Sequence, residues 1–223
     1  MNRGYLNADV FCHLVPDLRI KGGVIMRIAQ QLTLAVVILS LAACSKQPGE
    51  NYFPMSDGSR WEYSIEDSRH VAGADKRKVV IRIDGNEEIS GKKYHKQVTV
   101  FSGIPGAEAS ISYYRIAKDG IYEISGKRKD QPEFLYVRFP LEVGRSWTVQ
   151  EPEASIRYRV EGKETVELFE RKYDDCMKIS FHVYAKSGDY EGVSYYASDV
   201  GCVRNVVKNR GLTTEVVLDK YEK

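Results

Sequence analysis

The chain repeats itself, and that limits its possible folds more than any other property. Phe53-Pro54-x-x-x-Gly58-x-x-Trp61 recurs as Phe139-Pro140-x-x-x-Gly144-x-x-Trp147, and these two segments hold the only two Trp of the 223 residues. Ile81-Arg82-Ile83-Asp84-Gly85-Asn86-Glu87 then matches Tyr158-Arg159-Val160-Glu161-Gly162-Lys163-Glu164. Lys93-Tyr94 matches Lys172-Tyr173, Ser112-Tyr113-Tyr114 matches Ser194-Tyr195-Tyr196, and Gly120 follows its Tyr pair much as Gly201 follows the other. The order never changes and the offsets stay between 77 and 86. Self-similarity of this kind marks a duplicated supersecondary unit. Two units are expected, 52–138 and 139–223, making one domain together.

Each unit reads as strands. Val79, Ile81 and Ile83 alternate with polar or differently facing neighbours, as do Val98 and Val100, Ile111 and Tyr113, and Ile156, Tyr158 and Val160. Asp84-Gly85-Asn86, Lys118-Asp119-Gly120 and Glu161-Gly162-Lys163 are expected turns. Glu215 to Leu218 is expected to form a closing strand, and no amphipathic helical run of useful length follows residue 44. The expected fold is all-β: an antiparallel meander of about ten strands forming a curved sheet or a barrel-like closure. In each unit Phe-Pro leads the chain in, Gly makes a turn, and Trp plugs the core at a strand start.

The N-terminal 43 residues belong to a different kind of segment. From Met26 the chain runs through one Arg, an apolar stretch from Leu32 to Leu41, and then Ala42, Ala43 and Cys44, with no charge between Arg27 and Lys46. That is the layout of a secretory signal over 26–43, too marginal in length for a retained membrane span. Residues 1–25 fit no targeting pattern and are expected to reflect an earlier, mis-assigned start. Residues 44–51 form a short linker.

Leu41-Ala42-Ala43-Cys44 resembles the bacterial lipobox. The resemblance implies cleavage between Ala43 and Cys44 and acylation of the Cys44 thiol, so that the protein is held on a membrane by several acyl chains. Ser45 follows, where an Asp would resemble an inner-membrane retention signal, so the outer membrane facing the periplasm is the expected location. Tyr52-Phe53-Pro54-Met55 with Gly58, Trp61 and Tyr63, followed late in the chain by Tyr195-Tyr196 and Gly201, resembles a loose group of bacterial lipoproteins. Their opening is Tyr-Phe-Pro-Leu-x-x-Gly-x-x-Trp-x-Tyr. That resemblance implies export and a β fold, and it brings no activity with it.

From Cys44 onward the chain carries 29 basic and 29 acidic residues. Neutrality excludes electrostatic attraction to phosphate-rich partners as its main device, so no nucleic-acid partner is expected. Cys176 and Cys202 are the two thiols left in the body, and an oxidising compartment favours pairing them. Folding a hairpin about Asp189 sets them opposite one another, and the closed loop would stabilise by about 3–4 kcal/mol. Two buried free thiols are the alternative.

Chemistry-bearing motifs are sparse. His70, His95 and His182 are far apart in sequence, with no Cys or carboxylate at ligand spacing, so no metal or cofactor is expected. Asp174-Asp175 and Glu87-Glu88 are adjacent carboxylates, which a strand points to opposite faces. Lys127-Arg128-Lys129 is expected to be a solvated loop able to touch anionic headgroups. Tyr113, Tyr114, Tyr122, Tyr136, Tyr158, Tyr184, Tyr195 and Tyr196 all fall in expected strands, and some must face away from the core. The expectation is a non-enzymatic, lipid-anchored envelope protein whose curved sheet binds a hydrophobic ligand. The alternatives are a scaffold or assembly partner of another envelope protein and, third, an enzyme whose site is not legible in sequence.

Overall fold

The computed structural model describes residues 49–68, 77–103, 107–126, 129–150, 154–186 and 188–223. Ala43, Cys44, the leader, Cys12, His70 and Lys127-Arg128 lie outside the described residues. The chain is all-β. Among the described residues, the 3-10 turn Glu50–Tyr52 precedes twelve strands. They are β1 Arg60–Asp67, β2 Arg77–Ile89, β3 Lys92–Ser102, β4 Ser110–Ala117, β5 Gly120–Ser125, β6 Phe134–Arg138, β7 Ser146–Gln150, β8 Ala154–Leu168, β9 Arg171–Ala185, β10 Tyr190–Ala197, β11 Gly201–Asn209 and β12 Leu212–Glu222.

All twelve strands join one antiparallel sheet in the order β6-β5-β4-β3-β2-β1-β12-β11-β10-β9-β8-β7. The first and last strands pair in the middle of that order, from Arg60↔Glu222 to Asp67↔Thr214. The free edges are β6 and β7, which are consecutive in the chain. No ladder joins them, but the Trp147 indole N–H donates to the Tyr136 carbonyl at 3.2 Å, so the sheet curls into a nearly closed barrel with a seam there.

The Gly-x-x-Trp segments make matching backbone pairings. Gly58 N–H donates to the Ile83 carbonyl at 3.1 Å and Ile83 N–H to the Ser59 carbonyl at 2.9 Å. Gly144 N–H donates to Val160 at 2.8 Å, and Val160 N–H to Arg145 at 2.9 Å. Trp61 sits opposite Ile81, and Trp147 sits opposite Tyr158. Gly58 and Gly144 have φ of 83° and 85°, a left-handed region that a side chain would resist. Both Trp are buried, stacked on Tyr221 at 5.3 Å and on Tyr158 at 5.1 Å.

Two expected turns prove to be bulges. Asp84 and Gly85 lie inside β2 and together oppose Lys96, while Glu161 is the extra residue in β8 beside Gly162. Gly at φ 78° in position 85 lets the strand absorb a residue and bend without reversing. The reversals come later, at Ser90-Gly91 and Phe169-Glu170, so β2 and β8 are longer than the expected strands.

The expected hairpin setting Cys176 opposite Cys202 is not the one formed. β9 and β10 pair as Val183↔Tyr190 through Met177↔Tyr196, and the chain reverses again at Ser198–Val200, with Asp199 at φ 60°. Cys202 therefore starts β11 and pairs with Tyr196, leaving β10 between the two cysteines. Two strand spacings amount to about 10 Å, beyond the reach of a disulfide. Both thiols are free, Cys176 buried and Cys202 half-buried.

Candidate functional site

Period-two alternation sends one face of every strand inward, and aromatic residues dominate that face. Phe53, Phe139, Trp147, Tyr158, Ile156, Val160 and Ile179 belong to one buried cluster; Trp61, Tyr63, Ile83, Val203 and Leu218 belong to a second. The hollow between Phe53, Tyr136, Trp147, Tyr158 and Tyr196 has a volume of about 10 Å³. That is room for one water and not for an acyl chain.

Inside this packing sits a polar row that the sequence reading missed. Glu123, 5% exposed, follows Ile121 at the same strand parity and so points inward with it. It accepts a hydrogen bond from Ser112 Oγ at 2.8 Å and lies opposite Tyr114. Tyr114 ionises far above its ordinary range because burial disfavours the phenolate and the Glu123 carboxyl adds to the penalty. Burial also pushes Tyr136 and Tyr196 upward, and Glu123 and the neighbouring Tyr136 hydroxyl reinforce the respective shifts. These phenols stay protonated. The clue available in sequence was parity: a Glu two residues from Ile121 in an apolar five-residue run.

The thiols show the same trend. Burial pushes Cys176 up to about 11 and Cys202 up to about 12. Neither forms a thiolate near neutral pH, so neither has the character of a nucleophile. Tyr63 donates to the Cys202 carbonyl at 3.0 Å. His95 is held below its ordinary range by burial and by the nearby Lys93 charge. Among the described residues no three His, Cys, Asp or Glu side chains gather as a metal-binding group.

On the outside, Lys129 and Glu133 of the link between β5 and β6 reach across to β2, β3 and β4, so that residues 129–133 act as a strap. Glu133 accepts from Arg115 Nε at 2.9 Å and Nη2 at 2.6 Å, from Lys92 Nζ at 2.6 Å, and from the Tyr94 hydroxyl. Burial alone would raise its carboxyl, but these donors outweigh it and hold it at about 2. Lys129 bonds Glu87 at 2.6 Å and sits 4.6 Å from the Tyr113 ring centroid. This member of the expected headgroup-binding basic run is thus engaged by the protein itself. Beneath the strap Tyr94, Tyr113 and Ile124 are buried as a small third cluster.

The open site is elsewhere. At the end of the sheet bearing the β9–β10 and β11–β12 turns, a hollow of about 300 Å³ is lined by His182, Asp189, Tyr190, Glu191, Lys208 and Arg210 among others. Strand register builds it: His182 lies opposite Glu191, Glu191 opposite Lys208, and Lys208 opposite Thr213, which brings mixed charge into one outward row. Beside it the His182 and Tyr184 rings lie 4.3 Å apart, and the Arg157 guanidinium is 5.9 Å from the Tyr184 centroid. Gly188 leaves space for Arg210, whose Nη2 is 2.5 Å from where a Cβ would stand. Tyr184 remains 42% exposed, a large aromatic surface in water next to charges of both signs. Of the tyrosines singled out in sequence, it alone is exposed, while Tyr113, Tyr114 and Tyr158 are buried and Tyr122, Tyr136, Tyr195 and Tyr196 are half-buried.

No protein family model matches the chain, and no curated protein matches it. Among solved structures, it is similar to a candidate exported protein with a YmcC-like fold from Bacteroides fragilis, at 16% identity and a TM-score of 0.50, covering 77% of this chain and 98% of that one. A candidate lipoprotein from Parabacteroides distasonis has 12% identity and a TM-score of 0.43, with the same coverage. The likeness to the Bacteroides fragilis protein is one of fold.

Proposed function

We propose that this is a lipid-anchored protein of the bacterial envelope that works by holding another envelope protein on the outer face of its barrel, without catalysing a reaction. One observation carries the choice between holding a protein and carrying a hydrophobic molecule. The inner hollow between Phe53, Tyr136, Trp147, Tyr158 and Tyr196 is narrowed by these aromatic side chains to about 10 Å³, while the open hollow of about 300 Å³ is polar and outside. A hydrophobic cargo needs an enclosed apolar space of several hundred Å³. A protein surface needs aromatic anchors among paired charges, as Tyr184 stands among Arg157, His182 and Glu191. The secretory signal over 26–43, the lipobox ending in Cys44, and a fold in common with a protein described as exported support export and anchoring.

The test is a photo-crosslinking residue placed at position 184 or at position 100, where Val100 is 44% exposed on β3. The expected result is one discrete adduct in the envelope fraction from position 184 and none from position 100. The same adducts from both positions would refute a defined docking face. Native mass spectrometry of the full acylated chain supplies the second arm. A released adduct of lipid mass, beyond the covalent anchor, would replace the reading with carriage.

A further inference from the structure

The twelve strands alternate in direction, so each end of the barrel carries a fixed set of turns. One end holds the 3-10 turn Glu50–Tyr52, the β2–β3 turn, the β4–β5 turn, the link from β6 to β7, the β8–β9 tip and the β10–β11 turn. The N-terminal segment is tied to this end by several contacts. Asp199 N–H donates to the Asn51 carbonyl at 2.7 Å, Asn51 Nδ2 donates to Ser198 Oγ at 2.7 Å, and the Tyr52 hydroxyl donates to the Asp175 carbonyl at 3.3 Å. Gly49 lies against Leu141 of the β6–β7 link, leaving no room for a Cβ.

Among the described residues, the two most exposed large apolar side chains are on this same end. Phe169 is 77% exposed at the β8–β9 tip, and Val143, two residues after Leu141, is 69% exposed. Neither position is required by the turn it occupies. Phe169 has φ of 51°, a left-handed conformation that a bulky side chain resists. The corresponding tip in the first half, between β2 and β3, is Ser90-Gly91, and the β11–β12 turn is Arg210-Gly211; both place a polar side chain at the left-handed position and a Gly after it, where this tip has Phe169 and Glu170. An exposed aromatic held at a strained tip points to a contact made outside the fold.

Chain length says what that contact is. Cys44 precedes Gly49 by five residues, which span at most about 18 Å when extended. The opposite end of the barrel is farther away by a strand length, about 30 Å for the nine residues of β11. An acylated Cys44 therefore brings only the Phe169 end to a bilayer. We propose that this end rests on the membrane that holds Cys44, with Phe169 and Val143 entering the boundary between headgroups and acyl chains. The inference rests on the anchoring read from the lipobox, and it adds an orientation: the outward hollow beside Tyr184 is held away from the membrane.

The test uses the full chain, produced in an exporting bacterium and reconstituted in phosphatidylcholine–phosphatidylglycerol vesicles with brominated acyl chains. Phe169→Trp, Val143→Trp and, as the control at the other end, Tyr184→Trp are compared over the constant background of buried Trp61 and Trp147. Residues entering the boundary are buried about 5–10 Å into it, alongside the brominated chains, so quenching at 169 and 143 is expected to exceed that at 184 by at least about twofold. Equal quenching at the three positions overturns the orientation. The mass of the N-terminal peptide judges the anchor separately. Acyl mass on Cys44 with equal quenching refutes the orientation alone, whereas absence of acyl mass refutes the anchoring and the orientation with it.

Discussion

The strap over β2–β4 should lose its hold in acid, and the loss can be isolated with one substitution. Glu133 titrates at about 2 in the folded chain because Arg115, Lys92 and Tyr94 donate to it against the cost of burial. In the unfolded chain it titrates in the ordinary range near 4.3. A carboxyl whose folded value is depressed adds stability that is complete above its unfolded value and disappears as pH falls through the folded one. The full linkage value of such a drop is about 3 kcal/mol; with the carboxylate in part solvated, about 1–2 kcal/mol is the realistic share. Glu133→Gln keeps the shape and one acceptor while removing the charge. Urea unfolding of both chains should show the variant less stable by about 1–2 kcal/mol at pH 7, with the gap closing between about pH 4.5 and pH 2. Other carboxylates titrate in both chains and cancel in the difference. A gap that stays constant down to pH 2 would refute the argument, since it would mean that shape rather than charge holds the strap.

Four further outcomes follow from the geometry. Cys176 and Cys202 should show no two-proton mass deficit in the exported, denatured chain, and both should resist a thiol reagent at pH 8 until denaturant is added; a deficit would refute the observed β9–β10–β11 register. Gly192→Ala places a Cβ 2.4 Å from Phe181 Cζ and 2.5 Å from the Val206 carbonyl, and should cost about 1–3 kcal/mol in thermal or urea unfolding. Trp147→Phe removes the indole donor to Tyr136 at the seam and should cost about 1 kcal/mol beyond lost packing, with faster amide exchange in β6 and β7 than in β1 and β12. In a spectrophotometric titration, the phenols of Tyr63, Tyr114 and Tyr196 should ionise only when the chain unfolds in strong alkali, and a smooth titration of all tyrosines near pH 10 would contradict their burial.

The strands and the inward Trp pair were legible because their signals are local: alternation, turn residues and a duplicated motif. What failed was also local in origin. Asp84-Gly85-Asn86 has turn composition, but the same Gly conformation serves a bulge, and only the partner strand decides between them. The cysteine pairing failed because Ser198-Asp199-Val200 is a reversal without Gly or Pro, sustained by Asp199 in a left-handed conformation. Glu123 was hidden by its charge, since inward carboxylates are rare enough that parity was not applied to it. The β1–β12 ladder and the seam leave no short-range trace at all. The outer hollow likewise joins His182, Glu191 and Lys208 only through register across three strands, with Asp189 and Arg210 added by the adjoining turns.

The pairing of β1 with β12 also sets an order on assembly. Every other neighbour in the sheet is the previous or next strand in the chain, so hairpins can form as soon as both their strands exist. One side of β1 is different: its row of amides and carbonyls waits for residues 212–222, which leave a ribosome or a translocation channel after the other eleven strands. Until then a long strand edge stands open to wrong partners, and the wait spans nearly the whole loop entropy of the chain. The extreme C-terminal segment is thus the latch of the barrel, and a chain shortened by those eleven residues would expose an edge through its middle rather than fray at one end.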